Sequence, residues 1–323
     1  MRLQKGIIMR LKALSNYDGD LDKRFGDCIL LYDNTSLVVY DCGHTRHAEA
    51  VEAFLQSDRS ISQVHIVVSH NDSDHTDGVC KLLDWLYAKG QYVVIVYSHQ
   101  YLKHVDTILD KISDKRRNRD SLEQSLLDEF DNIKTIIESA QACGFLTVEA
   151  LSGTNVGNCT IVGPTIDEFT DVAAKAVDNR VSNNIGEGHA EETVMNAASV
   201  QLECKLENAE TILLCGDASP LYLHNLDSYS IIQLPHHGQL DDAQAIFEEN
   251  LTNPYNKTYF ISDNTGSAAT SGGSDQLVQY MKDEKYDPAL NTKSGLVLIP
   301  GSAYVSVTSR QQQGVRLGEM DYR

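Results

Sequence analysis

The stretch SHNDSDHTDG, Ser69 to Gly78, places His70, Asp72, Asp74 and His75 within six residues, directly after the apolar run QVHIVVS. A buried strand ending at Ser69 has to leave its sheet through a polar turn. Val79, Leu82, Leu83 and Leu86 then repeat at helical spacing, so a helix is predicted to begin near Thr76 to Gly78. Two readings compete for the turn. In one, its Asp and Ser residues do no more than cap that helix. In the other, His70 and Asp72 converge on one cation, and Asp74 with His75 serves a second. Such a mixed imidazole–carboxylate set suits zinc, manganese or iron. The density of ligands immediately behind a buried strand favours the second reading.

Outward from this stretch, short apolar runs bounded by turn residues read as strands. They are IIMRLKAL, CILLYD and SLVVYDCG before it, and YVVIVYS, LTVEAL, CTIVGP, ASVQLECKL, TILLCGD, IIQLPHHG, KTYFISD, GLVLIP and AYVSVTS after it. Gly26-Asp27 precedes the second strand as a turn. Residues 46–57 fit an amphipathic helix, and another is expected around Asp275 to Lys282. Residues 100–142 form a charged helical segment inserted between strands, and Asp167 to Glu192 reads as a polar connection. Strands, an acidic or His-bearing turn, then a helix recur in both halves. That pattern predicts an α/β (α+β) chain, a sheet sandwich flanked by helices, with ligands at strand ends from both halves.

These motifs together resemble the metallo-β-lactamase-fold hydrolases. HxDxDHxxG stands where that family usually has HxHxDH, with Asp72 in place of the second histidine. YDCG (40–43), ILLCGDA (212–218) and IIQLPHHG (231–238) resemble its other motifs in the right order. NAASVQL (196–202) is similar to the strand that precedes Gly-Asp in the ComEC-type domain of DNA-uptake proteins. The resemblance implies one four-layer αββα metallo-β-lactamase sandwich over residues 1–323, here as a free-standing protein. It also implies two divalent metal ions, Zn or Mn. His70 and Asp72 would hold one ion, Asp74, His75 and His236 the other, and Asp217 would bridge them. His236 is preferred as ligand over His237, which would then contact substrate or donate a proton. Asp74 could also orient a hydroxide held between the metals, so Asp74 and His237 are the catalytic candidates.

Other residues receive weaker roles. Asp41 is expected to orient the loop carrying His70 rather than to ligate. His189 (GEGHAEET) is the one histidine placed to replace a further family ligand, and a plain loop role is preferred for it. His44 and His47 are read as exposed helix histidines, with a place on the site rim as the alternative. His99 ends a strand near the presumed site edge. TSGGSD (270–275) replaces a His-Pro turn common in ComEC-type domains, so substrate-facing groups there are expected to differ.

Composition narrows the function. The formal charge is −19, which disfavours indiscriminate attachment to nucleic acid or anionic membranes, although bound metals offset it locally. The dense basic run KRRNR (115–119) is surrounded by acids and lacks interleaved aromatics, so it reads as solvated helix rather than a nucleic-acid platform. Seven scattered cysteines without CxxC pairs fit a reduced cytoplasm, and no apolar run is long enough for a membrane span. The resemblance implies a phosphodiesterase or nuclease acting on DNA or RNA. A hydrolase of a small substrate (cyclic nucleotide, lactone, ester or thioester) is the alternative, and an inactive binding protein the least favoured.

Overall fold

The computed structural model describes residues 9–14, 26–113, 118–183, 194–262, 275–286, 289–294 and 296–300. His189, Lys115 to Arg117, residues 270–274 and the run AYVSVTS lie outside them.

Strand alternation organises the molecule. The first sheet contains β1 (Arg10–Ala13), β2 (Ile29–Tyr32), β3 (Ser36–Tyr40), β4 (Gln63–Val67), β5 (Val93–Ser98) and β6 (Leu146–Glu149). The second contains β7 (Asn155–Val156), β8 (Cys159–Gly163), β9 (Gln201–Lys205), β10 (Thr211–Leu214), β11 (Ile231–Gln233), β12 (Thr258–Ile261) and β13 (Ala289–Asn291). β14 (Val297–Ile299) returns to the first. The two seven-stranded orders are β14-β1-β2-β3-β4-β5-β6 and β7-β8-β9-β10-β11-β12-β13. Each begins with antiparallel pairings and ends in a parallel run, β3 to β6 in one sheet and β10 to β13 in the other. The recurrence expected from sequence is thus a repeated sheet topology.

Because successive side chains point to opposite faces, apolar strands feed two cores at once. Ile29, Leu31, Val38, Tyr40, Val67 and Tyr97 meet Leu202, Ile212, Leu214, Ile231 and Phe260 in a core between the sheets. Leu30, Val39, Ile66 and Val96 face a helical layer instead. That layer comprises α1 (Thr45–Ser57), α3 (Val79–Lys89), α4 (Val105–Lys111), α5 (Arg119–Glu129), α6 (Asp131–Ala142) and α7 (Ile166–Asn183), beside the single-turn α2 (Ser73–Thr76). On the far side, Leu213, Ile232, Tyr259 and Ile261 pack with α8 (Leu240–Ala245), α9 (Asp275–Glu284) and Phe247. Three cores between four layers make the αββα sandwich expected from the motifs. Among the described residues, no helix is long and apolar enough to cross a membrane.

Two expectations need correction. Residues 167–183 of the polar connection belong to helix α7, whose Phe169, Val172, Ala173, Ala176 and Val177 are buried at helical spacing. Its alanines carry little apolar signal. The charged insertion is helical as expected, and the inner stripes of its helices, with Val105, Ile108, Leu122, Leu126, Ile133 and Ile136, join the helical-layer core. His47 is fully buried rather than exposed, since it shares the inner stripe of α1 with Val51 and Leu55.

Candidate metal centre

Parallel runs place their C-terminal ends along one edge of each sheet, and the candidate residues collect where those edges meet. Asp41 follows β3, His70 to His75 follow β4, Asp217 follows β10, and His236 and His237 follow β11. Asp217 is buried, with its two oxygens facing different groups. Oδ2 lies 3.6 Å from His70 Nε2 and 3.9 Å from His236 Nε2, and His70 Nε2 is 3.8 Å from Asp72. Oδ1 lies 3.5 Å from His75 Nε2 and 3.8 Å from His237 Nε2, and His237 Nε2 is 3.3 Å from Asp74. Thus His237, not His236, stands beside Asp74 and His75. Both residues have left-handed backbones, φ 49° and 54°, so the turn directs the two rings to opposite sides of Asp217.

The far nitrogen of each imidazole is held, which turns Nε2 toward the centre. Asp41 accepts from Ser69 N–H at 2.7 Å, Ser69 Oγ–H at 2.6 Å and His75 Nδ1–H at 2.8 Å. Ser69 has spent its one hydrogen on Asp41, so His70 Nδ1 must donate to Ser69 Oγ (2.9 Å). His70 Nε2 then carries a lone pair. Asp242 binds His236 Nδ1 at 2.6 Å, and Asp27 binds His237 Nδ1 at 3.3 Å. Asp27 is fixed in turn by Gln233 Nε2 and Ser262 Oγ, each at 2.8 Å. Asn196 Nδ2 donates to Asp72 at 2.7 Å. Sequence reading missed Asp27 and Asp242. Asp27 had a usable signal, an acid immediately before a buried strand, but it was read only as a turn.

The electrostatics follow from this packing. Burial opposes ionisation of Asp217, yet the imidazoles of His75, His237, His236 and His70 hold its pKa well below the usual carboxylate range. Burial also disfavours a charged His75, but Asp217 and Asp41 together raise its pKa well above the ordinary histidine value. Burial and the neighbouring His75 lower that of His70. A carboxylate ringed by imidazoles is a place where positive charge is favoured. His70 Nε2 and Asp217 Oδ1 are buried without a hydrogen-bond partner among the described residues, as ligand atoms reserved for a cation would be. Two groups, His70–His75–Asp217 and Asp27–His75–His237, have donor atoms close enough to share an ion. Asp27 is already engaged by Gln233, Ser262 and His237 Nδ1, so we read it as an orienting group.

The remaining described histidines lie apart. His99 is buried, stacks on Phe169 at 4.5 Å and bonds the Ala198 carbonyl at 2.9 Å, and burial lowers its pKa to about 4. It supports the segment that carries Asn196 rather than the site rim. His44 caps α1 by accepting from Arg46 N–H. His65 pairs with Tyr97, His104 with Glu149 and His224 with Glu168.

No protein-family model matches the chain, and no curated protein matches it. Among solved structures, the metallo-β-lactamase-fold protein YhfI from Bacillus subtilis is similar over 88% of this chain and 95% of its own, with 11% identity and a TM-score of 0.46. TM0894 from Thermotoga maritima, described as a metallo-β-lactamase, is similar over 66% of this chain and 80% of its own, with 15% identity and a TM-score of 0.35.

Proposed function

We propose that the protein is a metal-dependent hydrolase of phosphodiesters, with nucleic acid as its substrate class. One observation carries the metal part of this reading. Asp217 divides four imidazoles into two pairs, each pair accompanied by a second carboxylate. His70, Asp72 and His236 would hold one ion, Asp74, His75 and His237 the other, and Asp217 would bridge. This division supplies the first ion with a second imidazole, although no histidine outside the His236-His237 turn is needed. Two such ions supply Lewis acidity and an activated water at neutral pH. The chain's own residues keep the ligand set preorganised. Asp41, Ser69, Asp242 and Asp27 fix the ring orientations, and Asn196 fixes Asp72. His236 and Asp74 are more open to solvent than His237. That exposure favours Asp74 for orienting the nucleophile and His236, backed by Asp242, for facing substrate.

The phosphodiester substrate rests on the likeness of the motifs to ComEC-type domains. The charge of −19 supports a second reading, a small substrate that needs no long-range attraction. The test is incubation of metal-loaded protein with single-stranded and duplex DNA and RNA under Mn²⁺, beside Asp217→Asn. Cleavage by the wild type alone is the expected outcome. Equal cleavage by the variant would mean a contaminant, and no cleavage by a protein carrying two ions would favour the small-substrate reading.

A further inference from the structure

Among the described residues, the helical insertion between β5 and β6 hydrogen-bonds the His70–Asp72 loop through Asn71, and its helix α6 also lies against α2. Asn71 lies between His70 and Asp72, in a stretch without regular secondary structure. Its Nδ2 donates to Asp131 Oδ1 at 3.1 Å, and its Oδ1 accepts from Ile133 N–H at 3.0 Å. Its carbonyl accepts from Asn132 Nδ2 at 2.8 Å. Three consecutive residues at the start of α6 therefore grip both the side chain and the backbone of one loop residue.

The grip is anchored. Phe130, immediately before α6, is buried and stacks on Tyr101 with ring centroids 4.7 Å apart, and Ile133, Ile136 and Ala140 sit in the helical-layer core. On the other side of the loop, Ser69 fixes the His70 ring and Asn196 fixes the Asp72 carboxylate. The peptide linking these two groups is held by α6. The other half of the motif has ties of its own, with Asp74 O accepting from Asp27 N–H at 2.9 Å and His75 O from Cys42 N–H at 3.0 Å, and it is joined to the first half where the Asp72 carbonyl accepts from His75 N–H at 3.0 Å.

We propose that Asn71 is a positioning residue through which the helical insertion sets the affinity of the His70–Asp72 side for its ion, leaving the Asp74–His75 side unaffected. This rests on the two-ion reading above. Losing the clamp lets His70 and Asp72 separate, and a ligand pair held less firmly binds its ion less well. Because coupling is reciprocal, an ion on that side should in turn hold α6 more firmly.

The experiment is titration of the metal-free full chain with Zn²⁺ or Mn²⁺, followed by calorimetry and native mass spectrometry. Wild type, Asn71→Ala and Leu126→Ala are compared. Leu126 is a buried residue of α5, so its truncation destabilises the insertion without touching Asn71. Wild type and Leu126→Ala should each bind two ions. Asn71→Ala should bind one normally and the other about 10–100-fold more weakly. Amide exchange over residues 131–142 should slow on ion addition in wild type but not in Asn71→Ala. Two ions bound normally by Asn71→Ala overturn the proposal, as does equal weakening of both ions or the same loss in Leu126→Ala. A wild type that binds no ion overturns the two-ion reading itself, and this proposal with it.

Discussion

His47 shows how one side chain in the helical layer can govern acid stability. It is fully buried on α1, and neither ring nitrogen has a hydrogen-bond partner among the described residues. Burial lowers its pKa to about 3, and His44 pushes in the same direction. The unfolded chain takes up a proton near pH 6.5, while the folded chain refuses it until about pH 3. Stability from neutral His47 is therefore complete above pH 6.5 and falls as pH drops, by roughly 1.4 kcal/mol per unit. The raised pKa of His75 acts in the opposite direction as pH falls through the unfolded value, but it is common to wild type and a His47 variant and cancels in their comparison. At pH 5 the cost from His47 is about 2 kcal/mol. Urea unfolding at pH 7 and pH 5 should show His47→Leu losing about that much less than wild type on acidification. An identical loss in the two proteins would mean that His47 is not the group responsible.

At the scale of elements, the turns after β3 and β4 interlock through glycine. Gly26 and Gly43 both lie against the main chain of Asp74, and a Cβ on either would stand 1.8 Å from its carbonyl oxygen. Backbone cannot yield as a side-chain tip can, so Gly43→Ala must displace the loop bearing Asp74 and His75. The expected cost is at least about 1–3 kcal/mol of stability, together with weakened binding of any ion that Asp74 and His75 would hold. Thermal unfolding and metal titration measure the two effects separately, and an alanine variant that matches wild type in both would refute the packing argument. These same turns show what sequence reveals. Polar clusters ending apolar runs marked His70, Asp72, Asp74, His75 and Asp217, because a strand end and the polar residues of the turn behind it are neighbours in the chain. Asp27 and Asp242 escaped notice because their role depends on which ring each meets in space. His237 meets Asp27 across 210 residues. The choice between His236 and His237 turned on two left-handed residues in succession, which no apolar pattern announces. Helix α7 was obscured by alanines, and the burial of His47 by its chemical type, although its spacing from Val51 and Leu55 was readable.

For the whole molecule, the acidic balance and the candidate centre make separable contributions to stability. A charge of −19 repels itself in the compact state, and added salt relieves part of that repulsion wherever it acts. Two divalent ions at the centre would do something more specific, because the ligand set exists only when both sheets are folded together. Binding to the folded chain alone stabilises it by about 2.7 kcal/mol for each ion at a hundredfold excess over its Kd. With unfolding entropy near 2.1 cal/mol/K per residue, a chain of 323 residues should shift its Tm by roughly 4 °C per ion. A chelator is expected to reverse that shift in the wild type. Asp217→Asn should show little dependence on Zn²⁺, Mn²⁺ or chelator, because the carboxylate whose two oxygens face the two halves becomes a neutral amide. Sodium chloride should affect both proteins alike, since charge screening needs no ligand set. Equal stabilisation of both proteins by Zn²⁺ or Mn²⁺ would assign the effect to screening and leave the centre without a structural metal.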